Sequence, residues 1–309
     1  MFGKMMNSYY YGKSGKGDYR KEDLPKNRWQ LFWEMLRIRF AGLMRLNLMY
    51  VLPFLPAILV TLFSAFALYA GAAQAEETGA LTADMAQGIL FTWLLFLIPC
   101  ITITGPFSAG VSYVTRNWAR DEHAFVWADF KDAAKQNWKQ ALLVSFITSL
   151  MPLILYVCWM FYGQMAAQTP LFVIPQVLAI MLVVVWFLAV IYMYPLMVTY
   201  KLKFRDLIRN ALLLSIGRLP QSLGLRLLSF VPIAIAFAVV MFLGQLQWAV
   251  LGVLVYYVLI GYSLSRFIYA SYTNAVFDKF INARIDGAQV NRGLSQEEDD
   301  EEEGEDEEE

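Results

Sequence analysis

Residues 140–200 read QALLVSFITSLMPLILYVCWMFYGQMAAQTPLFVIPQVLAIMLVVVWFLAVIYMYPLMVTY and contain no Asp, Glu, Lys or Arg. One helical crossing of a bilayer takes about 20 apolar residues, so this stretch has room for two, turning at Gly163–Pro170. Residues 227–265 are equally free of charge, and residues 47–115 carry only Glu76, Glu77 and Asp84, clustered where a loop is expected. The 25 Lys and Arg residues fall between these stretches: ten in residues 1–46, five in 116–139, six in 201–226 and four in 266–292. Basic residues stay on the cytoplasmic side of short loops. The pattern predicts an all-α, polytopic membrane protein with six transmembrane helices and both termini inside.

The composition fits a chain built for lipid. It is 58% hydrophobic with a mean hydropathy of +0.46, too apolar for a water-soluble domain of this length. The formal net charge of −1 hides two populations. Residues 297–309 hold 12 acidic side chains in 13 positions, while the other 296 residues carry 25 basic and 14 acidic groups, a net of +11. The basic body is expected to face the anionic lipids of the inner leaflet. The acidic run has no apolar surface to bury, and residues 291–309 are expected to be a disordered acidic tail. Cys100 and Cys158 both stand in apolar stretches and offer neither a disulfide framework nor metal spacing. Residues 1–27 are polar and lack an apolar core, so a mobile N-terminal tail is expected there rather than a cleavable signal peptide.

The membrane domain is expected over residues 28–290. Its first segment, RWQLFWEMLRIRFAGLMRL at 28–46, places Trp29, Phe32, Trp33, Leu36, Phe40 and Leu43 at helical spacing beside Arg28, Arg37, Arg39 and Arg45. That is the chemistry of a helix lying in the inner interface, or else of a first span extended backwards. The spans are expected at about 48–74, 87–115, 140–165, 171–199, 227–243 and 248–265, the last continuing as SRFIYASYTNAVFDKFINARI.

The second span contains Pro99 and the Gly105-Pro106 pair. Proline removes a helical hydrogen bond, so a bent or broken helix is expected, with Thr102 and Thr104 placed to satisfy the freed carbonyls. Either the kink only packs, or it lines a cavity for an uncharged ligand. In the second case Pro99, Thr102, Thr104, Gly105, Pro106 and Ser108 are the candidate residues.

The two inner loops carry similar patterns. Trp127, Phe130, Ala134 and Trp138 form a stripe with Asp129, Lys131, Asp132, Lys135 and Lys139 off it. Phe204, Leu207, Ile208, Ala211 and Leu212 form another, with Lys203, Arg205, Asp206 and Arg209 on the polar side. Both read as short amphipathic helices along the inner surface. The likeness fits an old internal duplication or shared interface chemistry. Trp127, Phe130, Lys131, Trp138, Lys139, Phe204 and Arg205 are the candidate docking surface.

No charged side chain is expected deep in any span, which weighs against proton relays, carboxylate-coupled transport, voltage sensing and intramembrane metalloproteolysis. No Walker-type glycine loop is present to hold a nucleotide. The one histidine, in Arg120-Asp121-Glu122-His123, has no ligand spacing and no Ser or Cys partner. The expectation is therefore a chain with no enzymatic activity, no cofactor, no metal and no nucleic acid.

The start MFG, the run GPFSAGVSYVTRNWARDEHAFVWADFKDAAKQNWKQ at 105–140 and SYTNAVFDKFIN at 271–282 resemble the YesL-like family, bacterial integral membrane proteins with a domain of unknown function. The resemblance runs over about residues 1–290 and leaves out the acidic tail. It implies a multi-pass protein of the bacterial cytoplasmic membrane, with both termini cytoplasmic, placed beside carbohydrate uptake. It brings no catalytic or binding residues. The function expected is that of an accessory component that binds another membrane protein, such as a sugar transporter. The alternative is a transporter or channel for an uncharged small molecule, with its pathway at the broken second span.

Overall fold

The computed structural model describes residues 25–78 and 83–295. Residues 1–24 of the tail expected at 1–27, residues 79–82 and the acidic run from 296 lie outside the described residues. Every described element is helical. Helix α1 (Arg28–Val51) passes through a tight 3-10 turn at Leu52–Phe54 into α2 (Leu55–Thr78), and α3 (Ala83–Thr102) gives way at Ile103 to α4 (Thr104–Trp118). Helix α5 (Val126–Ala166) turns at Pro170–Phe172 into α6 (Val173–Thr199). Then come α7 (Phe204–Gly217), α8 (Leu219–Leu243) and α9 (Leu246–Tyr256), and a π-helical turn at Tyr257–Gly261 leads into α10 (Tyr262–Phe280). The chain is a multi-pass membrane protein. Among the described residues, six helical paths are long and apolar enough to cross a bilayer: Arg28–Ala72, Asp84–Thr102, Val126–Ala166, Pro170–Thr199, Leu219–Leu243 and Leu246–Arg284.

Local chemistry sets the ends of these helices. Asn27 caps α1, its side-chain oxygen accepting from the Gln30 N–H at 2.9 Å. Gly244, at φ +65°, is the left-handed residue that stops α8 and lets α9 return beside it. Glu76 and Glu77 fall in the last turn of α2.

The hairpins α2–α3, α5–α6 and α8–α9 carry the apolar surface. Phe63, Phe66, Phe237 and Phe242 on α2 and α8 are each at least 65% exposed. A monomer in water does not leave such continuous apolar faces bare; acyl chains cover them at no cost. The well-packed core lies instead toward the end that carries the basic residues. There one cluster joins α5, α6, α7 and α10 around Tyr192, Met193, Leu207 and Phe277. A second joins α1, α4 and α10 around Leu43, Leu46, Trp118 and Phe267.

The segment 28–46 is most of α1, a helix set off from α2 by the 3-10 turn, which buries Leu31, Met35, Leu43, Leu46 and Tyr50 in the second cluster. Of its aromatic stripe, Trp29, Trp33 and Phe40 point outward, because packing on α4 and α10 selects the opposite face. One expectation needs correction: the Trp127–Trp138 stripe is not a short connecting helix. It is the first third of α5, whose 41 residues extend about 62 Å at 1.5 Å per residue, twice the thickness of a hydrocarbon core. The helix therefore projects well beyond one face of the bilayer. The second stripe does form its own amphipathic helix, α7, with Leu207 and Ala211 fully buried.

The chain after α10 folds back onto the bundle. Asp278 pairs with Arg28, accepts from the Asn291 N–H at 3.1 Å and accepts from Asn282 at 2.6 Å. Glu122 pairs with Arg292 and lies 3.4 Å from Arg120. The Ser295 N–H reaches the Pro25 carbonyl at 3.0 Å. Residues 291–295, expected as the start of the tail, are thus tied to both ends of the described chain.

Candidate functional site

The break in the second span falls at Ile103 because Pro106 has no N–H to offer the Thr102 carbonyl. Thr102 Oγ1 donates to the Ile98 carbonyl at 2.6 Å, and Thr104 Oγ1 donates to the Ile101 carbonyl at 2.8 Å. These are neighbouring carbonyls, not Leu95 and Thr102, the two that the prolines release. The two threonines therefore brace the break from beside it.

Beyond the break, α4 is packed tightly against α5. A Cβ at Gly105 would stand 2.3 Å from the Ala141 carbonyl oxygen, and one at Gly110 would stand 2.6 Å from that of Phe130. Only glycine lets α4 and α5 approach this closely. Thr104 and Ser108 are buried, and Ser108 meets the Tyr50 hydroxyl at 2.7 Å. Of the six candidates at the break, Pro106 borders a large hollow.

That hollow is a groove of about 860 Å³ between α1, α4 and α5. Met49, Leu52 and Pro53 form one wall, Pro106 and Phe107 the floor, and Trp127, Phe130, Lys131, Lys135 and Trp138 the other wall. It joins part of each candidate set, since the stripe on α5 faces the proline of the break. Lys139 lies outside it. Its ammonium is 5.6 Å from the Trp138 ring, and it borders a polar hollow of about 720 Å³ with Gln140, Tyr200, Lys201 and Lys203. Phe204 and Arg205 sit on α7, away from the groove, with Phe204 packed on the first cluster. His123 meets the edge of Phe125, at 4.7 Å between ring centres.

The polar feature that sequence reasoning missed lies inside the bundle. Arg226 and Arg266 close the third basic block and open the fourth, Arg226 at the edge of the expected fifth span and Arg266 on the expected helical continuation of the sixth. Arg226 is on α8 and Arg266 on α10, within helices long enough to span. The Arg266 guanidinium lies 4.8 Å from the Tyr194 ring centre and 3.4 Å from the Tyr50 hydroxyl. Tyr194 in turn bonds Ser145 at 2.8 Å. Arg226 donates to the Phe187 carbonyl and lies 5.7 Å from the Tyr269 ring centre. No Asp or Glu among the described residues pairs with either arginine. Withdrawing a guanidinium from water costs several kcal/mol, and a ring face returns about 2 kcal/mol. The arginines are thus only partly compensated by tyrosine rings, hydroxyls and one carbonyl. The signal was available: in SLSRFIY and LGLRLLS each arginine stands in an apolar run with no acidic residue within a helical turn.

Residues 88–159 match the model of a family described as "Protein of unknown function, DUF624". The match begins on α3, takes in the break and all of α4, and ends on α5 at Trp159. It therefore contains both glycine contacts and the α4 and α5 walls of the groove, but neither Arg226 nor Arg266. No curated protein and no solved structure matches the chain.

Proposed function

We propose that this chain is a non-enzymatic accessory protein of the bacterial cytoplasmic membrane, YesL-like in kind, that holds a second membrane protein through the groove between α1, α4 and α5. The observation that supports this reading is the groove's make-up. It is an open apolar trough walled by Trp127 and Trp138, with Lys131 and Lys135 on its rim and no acidic residue among those that line it. The occupant that fits is an interfacial segment of the partner carrying apolar side chains and at least one carboxylate. The link to carbohydrate uptake comes from the family resemblance, and names a sugar permease as the first partner to seek.

The uncharged-solute pathway has less behind it. Gly105, Thr104 and Ser108 are spent on packing against α5 and on Tyr50, and a pathway needs them free.

A photoreactive residue in place of Trp127 or Trp138, in intact bacterial membranes, tests the docking reading. A permease subunit as the adduct, lost when Lys131 and Lys135 are both changed to Glu, supports it. Adducts with lipid alone, or none, overturn it.

A further inference from the structure

The polar hollow beside Lys139 lies where the apolar runs of two membrane helices end. On α6 the apolar path stops at Thr199, and on α5 the charge-free run starts at Gln140. Residues 136–140 of α5 form one wall and residues 197–203 the other, around about 720 Å³ of space. Hydrogen bonds hold the walls in place. Gln140 Nε2 donates to the Leu202 carbonyl at 2.8 Å, and the Leu202 N–H donates to the Tyr200 carbonyl at 2.9 Å. Asn137 Nδ2 donates to the Ala133 carbonyl at 2.9 Å.

The charge of this hollow is one-sided. Lys139, Lys201 and Lys203 line it, and no Asp or Glu does. Among the described residues, no Asp or Glu pairs with any of the three. Each ammonium brings three N–H donors. Lys203 is also the N-cap of α7 and makes no side-chain cap, so the N–H groups of that helix's first turn open beside the hollow and add partial positive charge. Asp206, in the same turn, is not among the lining residues. Like charges gathered around one space repel, and an anion with several oxygens relieves them while accepting their donors.

We propose that this hollow binds the phosphate-bearing headgroup of an anionic phospholipid. Ammonium groups and a helix N-terminus both receive phosphate oxygens. A free phosphate has the same oxygens, but the surroundings suit a lipid. Leu143 and Phe146 follow Lys139 on one face of α5, at spacings of four and three, and are 46% and 41% exposed, a surface for acyl chains leading away from the headgroup. Trp138 stands half exposed beside Lys139, as aromatic residues do at the level of the headgroups. Basic pockets between membrane helices suit headgroups that carry two phosphates, and three uncompensated ammoniums should rank cardiolipin above phosphatidylglycerol. The hollow shares Trp138 with the groove but none of its lysines, and stands whether or not a partner docks there.

The test uses the full chain, delipidated in a neutral maltoside detergent, with melting temperature followed as probe is added. One arm adds cardiolipin or phosphatidylglycerol, with zwitterionic phosphatidylcholine as reference. The other adds inorganic phosphate against sodium chloride at equal ionic strength. Both anionic lipids should raise the melting temperature saturably, cardiolipin at the lower concentration, and phosphatidylcholine should not. K201Q combined with K203Q should raise the half-saturating concentration at least tenfold, and K139Q severalfold. R209Q combined with K279Q removes two exposed charges that do not line the hollow, and should leave the response as in the wild type. Response to inorganic phosphate without response to lipid would assign the site to a free anion and overturn the lipid reading. No saturable response, or an equal one to phosphatidylcholine, overturns the proposal. So does an undiminished response in K201Q with K203Q or, should that pair not fold, in K139Q. Equal weakening by R209Q with K279Q would reduce the effect to net charge and overturn it as well.

Discussion

The Asn47 carboxamide and the main chain at Ser263 hold each other across α1 and α10. Asn47 Oδ1 accepts from the Ser263 N–H at 2.9 Å, and Asn47 Nδ2 donates to the carbonyls of Tyr257 and Val258 at 2.8 and 2.7 Å. The π-helical turn at Tyr257–Gly261 leaves main-chain groups without their usual partners, and one buried side chain takes up three of them. The same turn sets the register of α10, and so delivers Arg266 to Tyr50 and Tyr194.

Asn47→Ala should therefore be costly for a small change. Leaving buried polar groups unpaired costs about 2 kcal/mol or more, which at roughly 2 °C per kcal/mol predicts a fall of about 4 °C in melting temperature. Thermal unfolding in detergent measures it. A shift under about 1 °C would show that water replaces the carboxamide, given the several-degree scale expected for this loss.

The glycines of α4 should be sharply unequal to others in the chain. Gly105→Ala and Gly110→Ala each place a methyl against the main chain of α5, which cannot move aside as a side-chain tip can. Overpacking of this kind costs about 1–3 kcal/mol or more. Gly88→Ala meets nothing within 4 Å and should behave as wild type. Monodisperse yield after size-exclusion chromatography compares the three; equal yields would mean that α4 and α5 stand farther apart than these contacts require.

Tyr200 gives a pH dependence with a definite sign. Its hydroxyl donates to Asn282 at 2.6 Å, and burial first, then the Asp278 carboxylate, push its pKa up to about 12. An unfolded tyrosine titrates near 10, so the folded chain favours the protonated form, and this contribution is complete below about pH 10. It is lost as pH rises through about 12. The melting temperature of the wild type should fall more steeply between those values than that of Tyr200→Phe. Parallel curves would assign the alkaline loss to other groups.

Sidedness follows from the basic residues. Gln168 lies at the turn between α5 and α6, and Lys203 precedes α7 at the opposite end of α6; both are exposed. Single cysteines at these positions, in a chain lacking Cys100 and Cys158, should label from opposite faces, Gln168 from outside intact cells. Labelling of Lys203→Cys but not Gln168→Cys in intact cells would invert the orientation.

The apolar runs alone determined the number and order of the crossings, because a bilayer demands about 20 apolar residues per helix whatever the neighbours do. The pairing of Gly105 with Pro106 likewise announced the break near Ile103, since a missing N–H is a local fact. Which face of α1 is buried was not local. Trp29 and Trp33 make as good a stripe as Leu31 and Met35, and only contact with Trp118 and Phe267 decides between them. The groove was half legible: the Trp127–Trp138 stripe stood in the sequence, but its facing wall comes from α1 and α4. The surroundings of the two arginines were legible least of all. A basic residue at the edge of an apolar run does not show its partners in the sequence, and only the meeting of α8 and α10 gives Arg226 the ring and hydroxyl of Tyr269.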